Sequence, residues 1–414
     1  MRGFLIKFVA LSIVSGSTIG INRILITLLG LSLQATNWQL GLIGAVETLG
    51  LAMGTIPAGI MVSRGNPRSL YGQASIVVAA CYLLIPRLGV WFALLPFMLF
   101  TGFCISYRIV AMSSIFLGQL GVMGNGWAGW YKGTLALGTM AIGPWVGHLL
   151  AKGVGIKSTF YVSAGLFAGM ASLGVLALPP SRRGGARGPR QGSGNWLSAI
   201  WQNRQVRQAC LMEGVSGYCS AFFSTFMLVI LIRGHGWARD RAVHLLVLNG
   251  VVYVCVLLGA GWVLARTDRS RGIIERVVYG GTAVAMVGLG LAGRPVFFVL
   301  WTALFSLGLG FNNLVNVTII SSSGCDRGHV SGVATLTQMS GGCLGALVGG
   351  LLSRVLGVQL LFVLFAAPWL LALSVRRKRA PARESAFVAG ARSSKSEETR
   401  AVQKSIAGAR NAVG

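Results

Sequence analysis

Five charged side chains fall inside long apolar runs of this 414-residue chain: Arg23, Glu47, Arg108, Lys132 and Glu213. Charge is expensive in an apolar environment and is kept where it is paired, meets water or works. Glu47 and Glu213 are the only two of the nine acids away from the ends of such runs. A carboxylate there can trade its charge as water access changes, which is the chemistry of ion coupling. Arg108 offers a planar fork that binds a carboxylate or phosphate through two parallel bonds. Later runs carry neutral polar groups: Tyr218, Ser220, Asn249, Tyr253, Asn312, Asn313, Asn316, Thr335 and Gln338. Three Asn within five residues are denser than interhelical glue requires, so some are expected to face a cavity. The seven Cys form no CxxC pair and the four His are scattered. That pattern offers no metal site and reads the Cys as small packing residues.

The elements that position these groups are membrane helices. The chain is 54% hydrophobic and 11% charged, with mean hydropathy +0.70. Soluble chains carry about 25% charged residues. Twelve apolar spans are expected near 4–33, 38–61, 70–86, 90–117, 126–150, 157–178, 208–232, 242–265, 274–292, 295–320, 330–352 and 357–375. The first is too long for a signal peptide and is read as a span. With both termini on the cytoplasmic side, cytoplasmic segments hold 25 Lys and Arg against 8 in the opposite loops. This positive-inside bias accounts for the net charge of +27 and removes nucleic acid as a partner. Arg23 and Glu47 fall at matched depth, about 14–15 Å from the outer face at 1.5 Å per residue, on adjacent antiparallel spans. Arg108, Lys132 and Glu213 fall in the inner half, where Glu213 can offset one of the two cations.

The chain is read as two halves. Residues 1–178 form an N-terminal six-helix bundle and 208–375 a C-terminal one. Between them lies a basic Pro/Gly/Ser-rich linker, 179–207, and after them a polar tail, 376–414, too hydrophilic to fold alone. Val14-Ser15-Gly16 recurs as Val215-Ser216-Gly217. Gly59-x4-Arg64 recurs as Gly261-x4-Arg266. Gly129, Gly138 and Gly147 recur as Gly332, Gly341 and Gly350. Three matches in one order mark a six-plus-six repeat, which points to a solute site between the halves.

Gly59-Ile60-Met61-Val62-Ser63-Arg64-Gly65-Asn66-Pro67-Arg68 resembles the loop signature of the major facilitator superfamily, G-x-L-A-D-R-x-G-R-R/K. Ser63, and Ala265 in the repeat copy, stand where the family has a gating Asp. The resemblance covers about 4–375. It implies an all-α polytopic fold of twelve transmembrane helices in two pseudo-symmetric six-helix bundles. It assigns gating roles to Gly59, Arg64, Arg68, Gly261 and Arg266. Gly143-Pro144-x-x-Gly147 is similar to the family's exporter-associated signature in the fifth span, which implies a Pro kink and a close contact with the eighth.

The expected function is therefore secondary transport by alternating access, without cofactor, metal or enzymatic chemistry. No ATP-binding P-loop is present, so a gradient must drive it. Arg108, Asn312, Asn313, Asn316, Tyr218 and Gln338 are expected to line the solute cavity. Glu47, Arg23, Glu213 and Lys132 are expected to couple an ion. Three cations against two carboxylates favour an anionic or neutral solute, moved by proton-linked efflux. The alternatives are an uptake permease for an organic anion or metal chelate, and a non-transporting membrane scaffold or sensor. The protein is expected as a monomer in a bacterial inner membrane, both termini cytoplasmic, with Arg64, Arg68 and Arg376-Arg377-Lys378-Arg379 on anionic headgroups.

Overall fold

The computed structural model describes residues 2–123, 128–178, 202–259, 271–321 and 327–377. The linker at 179–201, the tail from 378, Gly261 and Arg266 lie outside the described residues, as does the side chain of Arg64.

Long apolar runs give long helices because every backbone polar group must be satisfied within the segment. In the first half these are α1 (Arg2–Ser32), α2 (Asn37–Arg64), α3 (Pro67–Leu84) and α4 (Leu94–Met123). They are followed by α5 (Ala128–Ala136), α6 (Gly143–Gly153) and α7 (Ile156–Ala177). The second half comprises α8 (Arg204–Val229), α9 (Arg239–Gly259), α10 (Arg271–Leu291), α11 (Pro295–Ser321), α12 (Arg327–Leu356), α13 (Val358–Leu364) and α14 (Ala367–Arg377). Among the described residues, ten spans are long and apolar enough to cross a membrane. The helix α7, and α13 with α14, complete twelve.

Short polar punctuation sets the ends. Asn66 caps α3 by accepting from the Arg68 backbone N–H at 3.1 Å, with Pro67 at the first helical position. Asn66 and Pro67, two of the residues that depart from the loop signature, thus build a helix start. Asn203 caps α8 by accepting from the N–H groups of Gln205 and Val206.

The repeat is visible in backbone packing. Gly16 of α1 lies against the Leu135 carbonyl, and Gly217 of α8 against the Gln338 carbonyl. Leu135 and Gln338 are related by the same step of 203 residues that relates Gly138 to Gly341. A Cβ at either glycine would collide with backbone, so both halves depend on the same small-residue contact. Elsewhere α3 packs on α4 and α7, and correspondingly α10 on α11 and on α13 with α14. The halves meet along α2 with α12, and along α9 with α5 and α6.

Three expectations are corrected. The fifth span is not a simple Pro kink. It contains a π-helical turn, Leu137–Ile142, in which the Gly143 N–H reaches back to the Gly138 carbonyl. Pro144 has no N–H to give the Met140 carbonyl, so the chain relieves that position by widening one turn. The glycine row there packs on α1, not on the eighth span: Cβ atoms built at Gly143 and Gly147 meet Gly20 and Ile21 at 2.7 and 3.0 Å. The eighth span supplies its own glycine, Gly250, against the Met140 backbone. The twelfth span is broken at Phe365–Ala366 rather than continuous.

Candidate functional site

Twelve spans put both termini on one face, called here the proximal face. The distal face carries the turn between α1 and α2. At the distal end the halves are tied together. Asp240 at the start of α9 accepts from Lys152 at 2.6 Å and from His148 Nε2 at 2.9 Å, both on α6. Arg233 donates to the Ala35 carbonyl at 3.0 Å and to Asn37 Oδ1 at 3.2 Å. The Arg354 guanidinium of α12 sits 4.3 Å from the centre of the Trp38 ring on α2. Between these polar ties Gly41 of α2 meets Gly350 of α12, backbone to backbone. Exposed pairs contribute little individually. The close helix contact contributes more, and the ties fix its register. At the proximal ends of the same two helices Gly59 and Gly332 face open space.

Beneath the latch lies a cavity of about 30 Å³ between α1, α2 and α8. Arg23, Thr27, Glu47, Thr48, Ser224 and Thr225 line it. That is room for a water or two. Arg23 and Glu47 therefore share one polar space at matched depth. Both groups line the cavity, and Arg23 lies within electrostatic reach of Glu47.

A second polar cluster joins α8 and α11. Glu213 is buried, and one of its oxygens accepts from Asn316 Nδ2 at 3.3 Å. One turn away Asn312 Nδ2 reaches the Met212 carbonyl at 3.5 Å. Asn313 is buried beside them. Lys132 of α5, half-buried, lies within electrostatic reach of Glu213 from the opposite half.

Arg108 is elsewhere. It is fully buried inside the first half, where one guanidinium nitrogen donates to Ser15 Oγ at 3.1 Å and to the Tyr71 hydroxyl at 3.2 Å. Its carbon lies 4.4 Å from the centre of the Phe167 ring. The expected cavity role and the expected pairing with Glu213 are corrected: Arg108 points between α1, α3 and α7, and solvent does not reach it. Tyr218 stacks on Phe365 with ring centres 4.4 Å apart. Gln338 is half-buried on α12, its carbonyl against Gly217. Arg68 is half-exposed at the start of α3.

Sequence reasoning missed the latch. One signal was available: Asp240 is the single acid in the six distal connections. His148 directly follows Gly147, the last residue matched to the fifth-span signature. No group of three or more His, Cys, Asp or Glu suited to a metal occurs among the described residues.

The sequence model of the Major Facilitator Superfamily matches residues 8–346. The chain belongs to the major facilitator superfamily. Solved structures of this superfamily fold are similar along nearly the whole chain. The nucleoside transporter NupG shares 14% identity with TM-score 0.71, covering 91% of this chain and 99% of its own. A bacterial homologue of the human lysosomal transporter Spinster, inward-facing and unoccupied, shares 13% identity with TM-score 0.74, covering 90% and 95%. The human organic anion transporter MFSD10 (TETRAN) shares 14% identity with TM-score 0.67, covering 89% and 99%. No curated protein sequence matches. Within the superfamily fold, the distal latch and the two polar clusters all lie where its halves meet or beside that seam, and Arg108 does not.

Proposed function

We propose that the protein is a secondary active transporter that moves a small anionic or neutral solute by alternating access, as proton-linked efflux from a cell whose cytoplasm holds both termini. The observation that carries this reading is the distal latch. Lys152, His148 and Asp240 close one face, Gly41 meets Gly350, and the proximal ends of the same helices lie open at Gly59 and Gly332. A seam closed at one end by short, exchangeable contacts is what rocking between two states needs.

The charge balance supports the solute class. Arg23 and Lys132 balance Glu47 and Glu213 beside the seam, which leaves no surplus carboxylate there for a free organic cation. Glu47 is the candidate proton carrier, since its cavity is polar, faces Arg23, and lies immediately under a closed gate. The π turn before Gly143-Pro144, at the seam with α9, supports the exporter-like reading of the fifth span. The monomer, the bacterial inner membrane and the lipid contacts of the basic segments belong to the same reading. The test is flux in liposomes: purified protein with an imposed pH gradient, screened with nucleosides, organic anions and metal chelates. Gradient-driven accumulation of one of these, lost in Glu47→Gln, is the expected result. Absence of flux for every class under either gradient polarity would favour the scaffold alternative.

A further inference from the structure

The cluster on α8 and α11 contains more buried oxygen than the protein satisfies. Glu213 Oε2, Asn312 Oδ1, Asn313 Oδ1 and Asn316 Oδ1 are all buried without a protein hydrogen-bond partner. Glu213 is 1% exposed, Asn312 and Asn316 0%. Unsatisfied buried polar atoms are rare, and the three on Glu213, Asn312 and Asn316, whose side chains meet on α8, demand a common explanation. Asn312 and Asn316 are one turn apart on α11, so they project from the same face. Both reach the same point on α8, the Met212 carbonyl and the Glu213 carboxylate. Their amide nitrogens are committed there, which leaves the carbonyl oxygens and Glu213 Oε2 as lone pairs with nothing to accept.

A proton on Glu213 satisfies at most two of these oxygens, its own and one acceptor. A cation accepts lone pairs from all that converge on it. Amide and carboxylate oxygens are hard ligands, suited to alkali or alkaline-earth ions rather than to soft transition metals. With one carboxylate in the set and Lys132 within electrostatic reach, the charge suits a single positive charge and not two. We propose that Glu213, Asn312 and Asn316 form a binding site for a dehydrated monovalent cation of sodium size. Lys132 comes from the other half. Cation and Lys132 therefore compete for the same carboxylate, and occupancy of the site releases an attraction that crosses the seam. The site adds to the transport reading without depending on it, because binding is a property of the folded protein whether or not flux is found.

The experiment uses purified full-length protein in detergent, with thermal unfolding and 22Na+ binding measured at constant ionic strength against choline and potassium. Sodium is expected to raise Tm saturably where choline does not. Glu213→Gln is expected to abolish the effect, and Asn316→Ala to weaken it on the order of 10- to 100-fold, the range lost when a metal ligand's support is removed. Lys132→Gln removes the competitor and is expected to tighten sodium binding, a gain that general destabilisation does not produce. If Glu213→Gln does not fold, Lys132→Gln still decides. Wild type without sodium-specific stabilisation or 22Na+ retention, Lys132→Gln with unchanged affinity, or a response to pH alone would each overturn the site. Sodium binding without flux would leave this site standing and sink the transport reading instead.

Discussion

Replacing Gly41 by alanine should drive the distal gate open. A Cβ built at Gly41 lies 2.7 Å from the Ala346 carbonyl and 2.7 Å from Gly350 Cα, with Phe226 at 3.1 Å. Ordinary contact begins at 3.4 Å, so α2 and α12 must separate by roughly 0.7 Å at this level. Two of the three obstacles are backbone, which cannot turn aside as a side chain does. Inserting a methyl group into such a contact costs about 1–3 kcal/mol. Gly41 belongs to one half and the atoms it meets to the other, so the penalty falls on the distal-closed state alone. The gate equilibrium should then move about 5- to 150-fold towards open. Ser224 lines the cavity beneath the latch and makes a reporter. In a background without the native Cys, Ser224→Cys should react faster with a membrane-impermeant maleimide from the distal side when Gly41→Ala is added. Gly59→Ala meets nothing within 4 Å and serves as the control expected to leave that rate unchanged. Folded Gly41→Ala protein labelling at the wild-type rate would refute the assignment of this contact to the gate.

Asp240→Asn keeps the shape but weakens both the Lys152 and the His148 ties, so the same labelling should accelerate, and by more at low salt than at high salt. Arg108→Met should keep or raise thermal stability, because two of its buried guanidinium nitrogens have no partner and an apolar side chain of similar length avoids that penalty. Arg108→Ala should lose about 2–5 kcal/mol by leaving a hole against Phe167; abolished solute binding in a stable Arg108→Met protein would instead restore the arginine to the solute site. Glu47→Gln should reduce proton-linked flux in liposomes more than it weakens solute binding, and full proton-driven flux in that variant would move the coupling role away from the Arg23 cavity.

The spans were legible because a membrane imposes length and hydropathy on every element that crosses it. The repeat was legible because Gly16 and Gly217 must both be glycine for the same steric reason. Depth was legible too: Arg23 and Glu47 stand level enough to line one cavity. What sequence could not supply was azimuth. Nothing in the hydropathy around Arg108 distinguishes a side chain aimed at the seam from one aimed at α3 and α7, since both directions are buried. Asp240 was hidden for a related reason. It looks like an ordinary loop acid until the fold brings α6, from nearly ninety residues earlier, against the start of α9. Pro144 announced an irregularity in the fifth span but not its kind; the widened turn depends on what α1 allows beside Gly143.

That widened turn has a consequence for rotation. A π turn holds one surplus residue, so the segment before it and the segment after it are out of phase by about 100°, one residue's share of a 3.6-residue turn. The segment before it carries Lys132, and the segment after it carries His148 and Lys152. The surplus can move along the helix one residue at a time, exchanging one backbone hydrogen bond for another. Each step would swing a side chain about the helix axis while leaving both ends of the span anchored. The fifth span thus has the geometry for a swivel, placed between the lysine within electrostatic reach of Glu213 and the residues that hold the distal gate.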